Sequence, residues 1–306
     1  MIRPDLLMAE SGTVSTNYRP DSATPSISLA LLPLANFSGR SEAIAIFDSL
    51  IKENITRRGF IIVSSEAIEN RLRHYRIRST AAIGSEDATR LSRDLETKYF
   101  MLGSIDIFVP GEIPEAALSL RIIDAADMSI LWAQSAAASG LDYEKILKRG
   151  KISSISQLAA RLIEELFVNL SIEHFREKSR PAGPLHTIIT FDNLSTNRSA
   201  GNIVTMIALS DLVSNNIPVL EPGVAIELFR QNGRSLLGAA EVDLLLQLHR
   251  KYNIERVITG TVDKFQSDPG GTEGISAQIE LSARTLETAT GKILAAADDN
   301  RDSADS

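Results

Sequence analysis

The stretch "FMLGSIDIF", Phe100 to Phe108, is written again 157 residues later as "VITGTVDKF", Val257 to Phe265, with an apolar run, Gly, Ser or Thr, an apolar residue, Asp, one free position and Phe in the same order. A shift of 157 carries the chain onto itself without a gap from Asn36 against Asn193 to Phe108 against Phe265. It pairs Ser38 with Ser195, Arg73 with Arg230, Leu91 with Leu248, Gly103 with Gly260 and Asp106 with Asp263. Self-similarity at a fixed offset constrains a fold more than any single motif, because each copy must build the same unit from the same succession of elements.

The element signals agree with the offset. "SISLAL" reads as a strand, and Ile44, Phe47, Ile51 and Ile55 then recur at helical spacing up to Gly59, a helix stop. "FIIVSS" is a second strand, a short helix starts near Glu66, and Ser85 is expected to cap a third helix carrying Ala88, Leu91 and Leu95 on one face. The repeated strand, "ALSLRIID" and "ILWAQSA" follow, so the expected order is β-α-β-α-α-β-β-β. In the second half "TIITF", helices near 199–214 and 239–252, and the strand "IPVLEP" take the same places. Beyond the repeated strand the second copy carries six extra residues, which the Gly- and Pro-rich "QSDPGGTEG" would hold in a longer hairpin loop, and then "ETATGKILAA" answers "DAADMSILWA".

The resulting expectation is an α/β fold of two tandem mixed-sheet domains, at 26–175 and 185–297. An amphipathic helix over 153–171, with Ile155, Leu158, Leu162, Leu166 and Leu170 on one stripe, closes the first. The breaker-rich 176–184 joins the two domains, and polar ends at 1–25 and 298–306 flank them.

Composition removes several functions. The chain has 306 residues and no cysteine, so disulfides, thiolate metal sites and cysteine nucleophiles are excluded. A net charge of -7 offers no global attraction for phosphate backbones or anionic lipid, and nucleic acid is not an expected partner. No run approaches the roughly 18 apolar residues of a membrane helix, and the first residues hold no signal-peptide core.

"LALLPLANFSG", "SEDATRLSRDLETKYFMLGSIDIF" and "LSLRIIDAADMSILWAQSA" together resemble the strand, Asn-containing loop, Gly-Ser strand and "L-I-D-A-x-x-G-x-I-L-W" hairpin of the TolB amino-terminal domain and CsgG-like envelope proteins. The likeness covers roughly 26–170 and, more weakly, 185–297, where Asn193, Gly260, Asp263 and "ATGKIL" are kept and the Trp is not. Met128 stands in the hairpin turn where the pattern has Gly, while the second copy has Gly291. The resemblance implies a module for binding and assembly in the bacterial envelope, with protein partners, no catalytic residues and a periplasmic location. If the start as written is the true start, the chain, which shows no leader and no lipid-acceptor Cys, would instead be cytoplasmic.

Candidate binding residues fall in two groups. Asn36 with Ser38, and Asn193 with Ser195, follow the first strand of each unit, where they either shape the loop or line a ligand site at the strand's carboxyl end. "RLRHYRIR" gathers Arg71, Arg73, Arg76 and Arg78 around His74 and Tyr75, either as a solvated helix end or as a grip for an anion. Gly103 and Gly260 mark a bulge or a close backbone approach, and Asp106 and Asp263, on the opposite face, are expected on a solvated strand face or as turn anchors. His74, His174, His186 and His249 show no zinc-ligand spacing, no nucleophile elbow or phosphate loop occurs, and Trp132 reads as core. The expectation is therefore a non-enzymatic assembly protein without metal or cofactor, self-associating through sheet edges or the long helix. The alternative is a small-ligand or anion sensor closing a cleft between the two domains.

Overall fold

Ile27–Leu31 (β1), an apolar strand between Ser26 and Pro33, lies second from one edge of a mixed sheet in the computed structural model, which describes residues 26–143, 151–175, 182–233, 242–268 and 276–302. Its neighbours are Phe60–Ile62 (β3) and Tyr99–Val109 (β4), both parallel to it, and Glu115–Asp124 (β5) and Ile130–Ser139 (β6) continue from β4 as an antiparallel meander. The two-residue Ala35–Asn36 (β2) adds to β4. The order β1-β4-β5-β6 reappears in the second sheet, which among the described residues has no strand in the place of β3: the strand expected at "IPVLEP" is reduced to isolated bridges. There His186–Ile188 (β7) is parallel to Arg256–Asp268 (β9), which leads into Ser276–Glu287 (β10) and Ile293–Asp302 (β11). Asp192–Asn193 (β8) adds to β9, and Val219 bridges His186 on the side where β3 flanks β1. The protein is thus an α/β fold with two mixed sheets.

The repeated Asp has a geometric meaning. Register between β4 and β5 steps from Ile105 to Ile107, leaving Asp106 as a bulge, and register between β9 and β10 steps from Val262 to Lys264, leaving Asp263 in the same place. One extra residue reverses the alternation, so Phe108 returns to the core face and meets Phe47 edge-on at 6.1 Å. Gly103 and Gly260 are sites of close approach: a Cβ on Gly103 would lie 2.4 Å from the Leu120 side chain, and one on Gly260 2.0 Å from the Ser282 carbonyl. Met128, at φ 61°, adopts the left-handed turn conformation that Gly291 adopts at φ 73°.

One face of the first sheet is covered by Glu42–Arg57 (α1) and Ile155–Leu166 (α4). Here Phe47, Ile51 and Ile55 meet Leu158, Leu162 and Leu166, and Trp132 stacks on Phe167 at 5.6 Å. The long helix is shorter than its sequence stripe, ending at Leu166, although Leu170 stays buried beyond it. Ser65–Tyr75 (α2) and Ser85–Leu95 (α3) begin to cover the other face. The rest of that face is covered by the second unit: Ala200–Ser214 (α5) packs on β5 and β6 of the first sheet and on β8 and β9 of the second. Gly223–Gln231 (α6) and Val242–Tyr252 (α7) complete the layer.

The ligand cleft expected as an alternative between the halves is therefore absent among the described residues. A continuous apolar core from Ala30 and Phe100 to Leu209 and Val262 occupies its place, because α5 has only Asp211 as a charged residue and must bury nearly its whole circumference. The expected linker lies largely outside the described residues, as does the lengthened loop between β9 and β10. Leu162 sits at full burial between α1 and the sheet. Leu162→Ala should lower the unfolding free energy by about 2–5 kcal/mol in a urea titration.

Candidate functional site

The groups of greatest chemical consequence lie at the joint between the units. β5 carries Arg121 on the face turned to the second unit, and the turn before α6 carries Glu221. The Arg121 Nε donates to Glu221 Oε2 and its Nη2 to Oε1, both at 2.7 Å, a bidentate pair whose side chains are 2% and 0% exposed. Nη2 also donates to the Ala81 carbonyl at 2.6 Å, Nη1 lies 3.2 Å from Met206 Sδ, and the Ile83 N–H reaches Glu221 Oε1 at 3.4 Å. A charge pair withdrawn this far from water is tolerable only when its remaining donors and acceptors are also met.

Backbone contacts run beside the pair. The Ile130 N–H donates to the Val219 carbonyl at 3.0 Å and the Glu221 N–H to the Met128 carbonyl at 2.9 Å. Gly223 approaches the first unit so closely that a Cβ there would sit 2.0 Å from the Ile83 carbonyl oxygen. Glu227 of α6 accepts from both the Ser85 N–H, at 2.7 Å, and the Ser85 hydroxyl, at 2.9 Å. Ser85 is thus not the cap expected from the sequence. It is the first residue of α3, preceded by Gly84, and a carboxylate of the other unit satisfies that helix start.

Asp106 differs most from its sequence expectation. It is buried at 5% exposure, because α5 lies over the β4–β6 face. Ser104 donates to Oδ1 and Ser119 to Oδ2, each at 2.6 Å. Ser135 donates to Ser119 at 2.8 Å and lies 2.7 Å from Ser210 of α5. The chain Asp106–Ser119–Ser135–Ser210 thus crosses three strands into the second unit. Burial raises the Asp106 carboxyl to about 7 against the opposing pull of its two hydroxyl donors. With the acid protonated, the hydroxyls can reverse, Asp106 donating to Ser119 and the run ending at Ser210, which can donate to the Met206 carbonyl at 2.9 Å.

The residues singled out in the sequence are placed as follows. Asn36 Oδ1 accepts from the Ser38 N–H at 3.1 Å and the Ser38 hydroxyl at 2.7 Å, while its Nδ2 donates to the Arg40 carbonyl at 2.7 Å. Asn193 does the same with the Ser195 N–H and hydroxyl at 3.1 and 2.8 Å and the Asn197 carbonyl at 2.6 Å. Both pairs spend these bonds shaping their own loops. Arg71, Arg73, Arg76 and Arg78 are exposed at the end of α2 and just beyond it. Arg71 lies 3.6 Å from Asp94, and Arg73 donates to Asn70 at 2.7 Å. Tyr75 is committed to Asp94 by a 2.6 Å hydrogen bond, which is the leading cause holding that carboxyl below its usual range. Among the described residues no three His, Asp or Glu side chains converge as a metal site would require, and no helix is long and apolar enough to cross a membrane.

Sequence reasoning did not single out Arg121, Glu221, Glu227 or Met206. A signal existed for the first two: an Arg within the apolar "ALSLRIID" and a Glu after the apolar "IPVL" are each anomalous in a buried strand unless paired.

No protein-family model matches the chain, and no curated protein does. Solved structures similar to it include the PelC dodecamer from Paraburkholderia phytofirmans, at 14% identity over 48% of this chain and 89% of that chain with a TM-score of 0.34. Lipoprotein GNA1162 from Neisseria meningitidis is 18% identical over 40% of this chain and 87% of that chain, with a TM-score of 0.31. The carboxyl-terminal domain of LpoB from Escherichia coli is 10% identical over 41% and 87%, with a TM-score of 0.30.

Removing one member of the joint's ion pair strands the other charge. Arg121→Met or Glu221→Leu alone should cost about 3–5 kcal/mol of stability in chemical denaturation, and the double variant should cost markedly less. Asp106 produces a pH dependence of the opposite sign to that of an ion-paired carboxylate. Its folded pKa lies above the unfolded value, so the folded state binds more protons between the two, and the contribution of Asp106 to stability is fully present below about pH 4 and is lost as the pH rises towards about 7. In thermal melts from pH 4 to 8, Asp106→Asn should remove that decline, leaving the variant more stable than the parent at pH 8 by a few kcal/mol.

Proposed function

We propose that the protein is a non-enzymatic interaction and assembly factor of a bacterial envelope complex, built from two copies of one α/β module at 26–175 and 185–297. The observation that carries this reading is the unequal use of one surface. The second unit clamps the first sheet through Arg121 and Glu221, which makes the two halves one body, while β11 is exposed along Ile293 to Asp299, with Ile293 and Leu294 at the surface. A rigid body with a half-covered sheet suits a scaffold that is completed by a partner. The placement in the envelope rests on the likeness of "LALLPLANFSG" and the "LIDA"-type hairpin to the TolB amino-terminal and CsgG-like modules. Asp106, whose carboxyl is raised by burial to about 7, is sealed beneath α5 and accepts from Ser104 and Ser119, an arrangement that serves the joint.

The chain, tagged at its own gene, should fractionate with the envelope and crosslink there to a discrete partner. The purified protein should turn over no ester, phosphoester or glycoside substrate. Metal-independent hydrolysis that disappears in Asp106→Asn, or recovery of the chain solely in the cytosol without a partner, would overturn the proposal.

A further inference from the structure

The first sheet receives the second unit on a defined set of residues, and the second sheet carries that set again. β5 places Arg121 between Leu102 of β4 and Ala133 of β6, and Ser119 between Ser104 and Ser135. β10 places Arg284 between Thr259 of β9 and Ala296 of β11, and Ser282 between Thr261 and Asp298. The bulged Asp106 answers to the bulged Asp263. The ladders skip Leu131 and Leu294 alike, which puts Ile130 opposite Ile123 and Ile293 opposite Leu286. Thr261 and Ser282 hydroxyls meet at 2.8 Å, much as Ser119 and Ser135 do in the first sheet.

The two sets differ in what covers them. Ile130 is 7% exposed beneath the second unit, whereas Ile293 is 49% exposed. Arg121 is sealed against Glu221, whereas Arg284 is exposed and makes no ion pair among the described residues. Asp106 is buried and Asp263 is exposed.

A second copy of this chain does not supply the missing cover by the same route. Met206, Ser210 and Glu221, which engage the first sheet, have Ser49, Glu53 and Ser64 at the equivalent positions of the first unit. A copy docked head to tail would bring no carboxylate to Arg284 from position 64. It would also set Glu53 against Asp298, which stands where Ser135 meets Ser210. Like charge placed there acts against the open polymer that a head-to-tail contact otherwise generates.

We propose that this face of β9–β11 is a docking site for a helix of another protein. The helix would be apolar where it meets Ile293 and Ala296, with an acidic residue for Arg284 and a basic residue for Asp298. The acidic residue follows from the bidentate Arg121–Glu221 contact on the equivalent face, and the basic one from the exchange of Ser135 for Asp298. The proposal rests on the reading of the protein as an interaction factor, but its test is independent of any assay for turnover or location.

The probe is a fluorescently labelled peptide spanning Ser199 to Asn232 of this chain with Ser210→Lys, lactam-stapled within Ala200–Ser214 so that this segment is helical by circular dichroism while Glu221 stays in the turn that follows. Titrated with the full-length protein, it should show saturable anisotropy and protect β10 and β11 amides from hydrogen exchange. Arg284→Glu and Asp298→Lys, both at exposed positions, should each weaken binding at least tenfold, whereas Arg161→Glu on the outer face of α4 should leave it unchanged. Failure of the helical peptide to bind, indifference to Arg284→Glu, or protection at β5 and β6 in place of β10 and β11 would overturn the proposal. Self-association of the full chain that Arg284→Glu abolishes would also overturn it, by assigning the face to a second copy.

Discussion

The buried Arg121–Glu221 pair is the interaction on which the rest of the architecture depends. Two charges at 2% exposure or less carry a large desolvation penalty, so the pair exists only because everything around it excludes water and satisfies its remaining hydrogen-bonding groups. The Ala81 carbonyl and Ile83 N–H do so from the first unit, and Met206 borders the guanidinium from the second. Gly223 lets the backbones approach closely enough to exclude solvent, and the apolar circumference of α5 extends the dry layer over β5 and β6. A chain committed to this joint has no room there for a ligand-binding cleft.

The same dependence explains how two copies of one residue acquire different chemistry. Asp106 and Asp263 occupy the same bulge, created by the same register step. Under α5 the first becomes a buried acid, raised to about 7 and tied through three serines to the neighbouring unit, whereas the second is exposed. Burial at this position is set by what lies above the sheet, since the bulge is alike in both sheets. Arg121 and Arg284 differ in the same way, one locked in a bidentate pair and the other at the surface.

Much of the fold was legible in the chain because it depends on local patterning. The stripe Leu158, Leu162, Leu166 and Leu170 announced α4 and its buried face, while the strand expected at "IPVLEP" came out only as a bridge from Val219 to His186. Trp132 was legible as core, and it stacks on Phe167. The site was much less legible. Ser85 looked like a helix cap because its neighbours fit that role, and its true partner lies 142 residues away. Asp106 looked solvated because alternation identifies the face a side chain occupies but not whether another element covers that face.

Whereas the bulge that carries each Asp emerged only from the strand registers, the sequence taken alone determined the internal self-similarity at an offset of 157, the periodicity of the long helix and the absence of any cysteine chemistry. Each of these follows from short-range sterics, periodicity or residue inventory, which any stretch of chain carries with it. Only the tertiary structure decided that the second unit seals one sheet and leaves the other open, and therefore which Arg is paired and which Asp is buried. Those outcomes arise from contacts between residues about 100 apart in the chain, whose energies depend on the exclusion of water by elements that no local pattern can place.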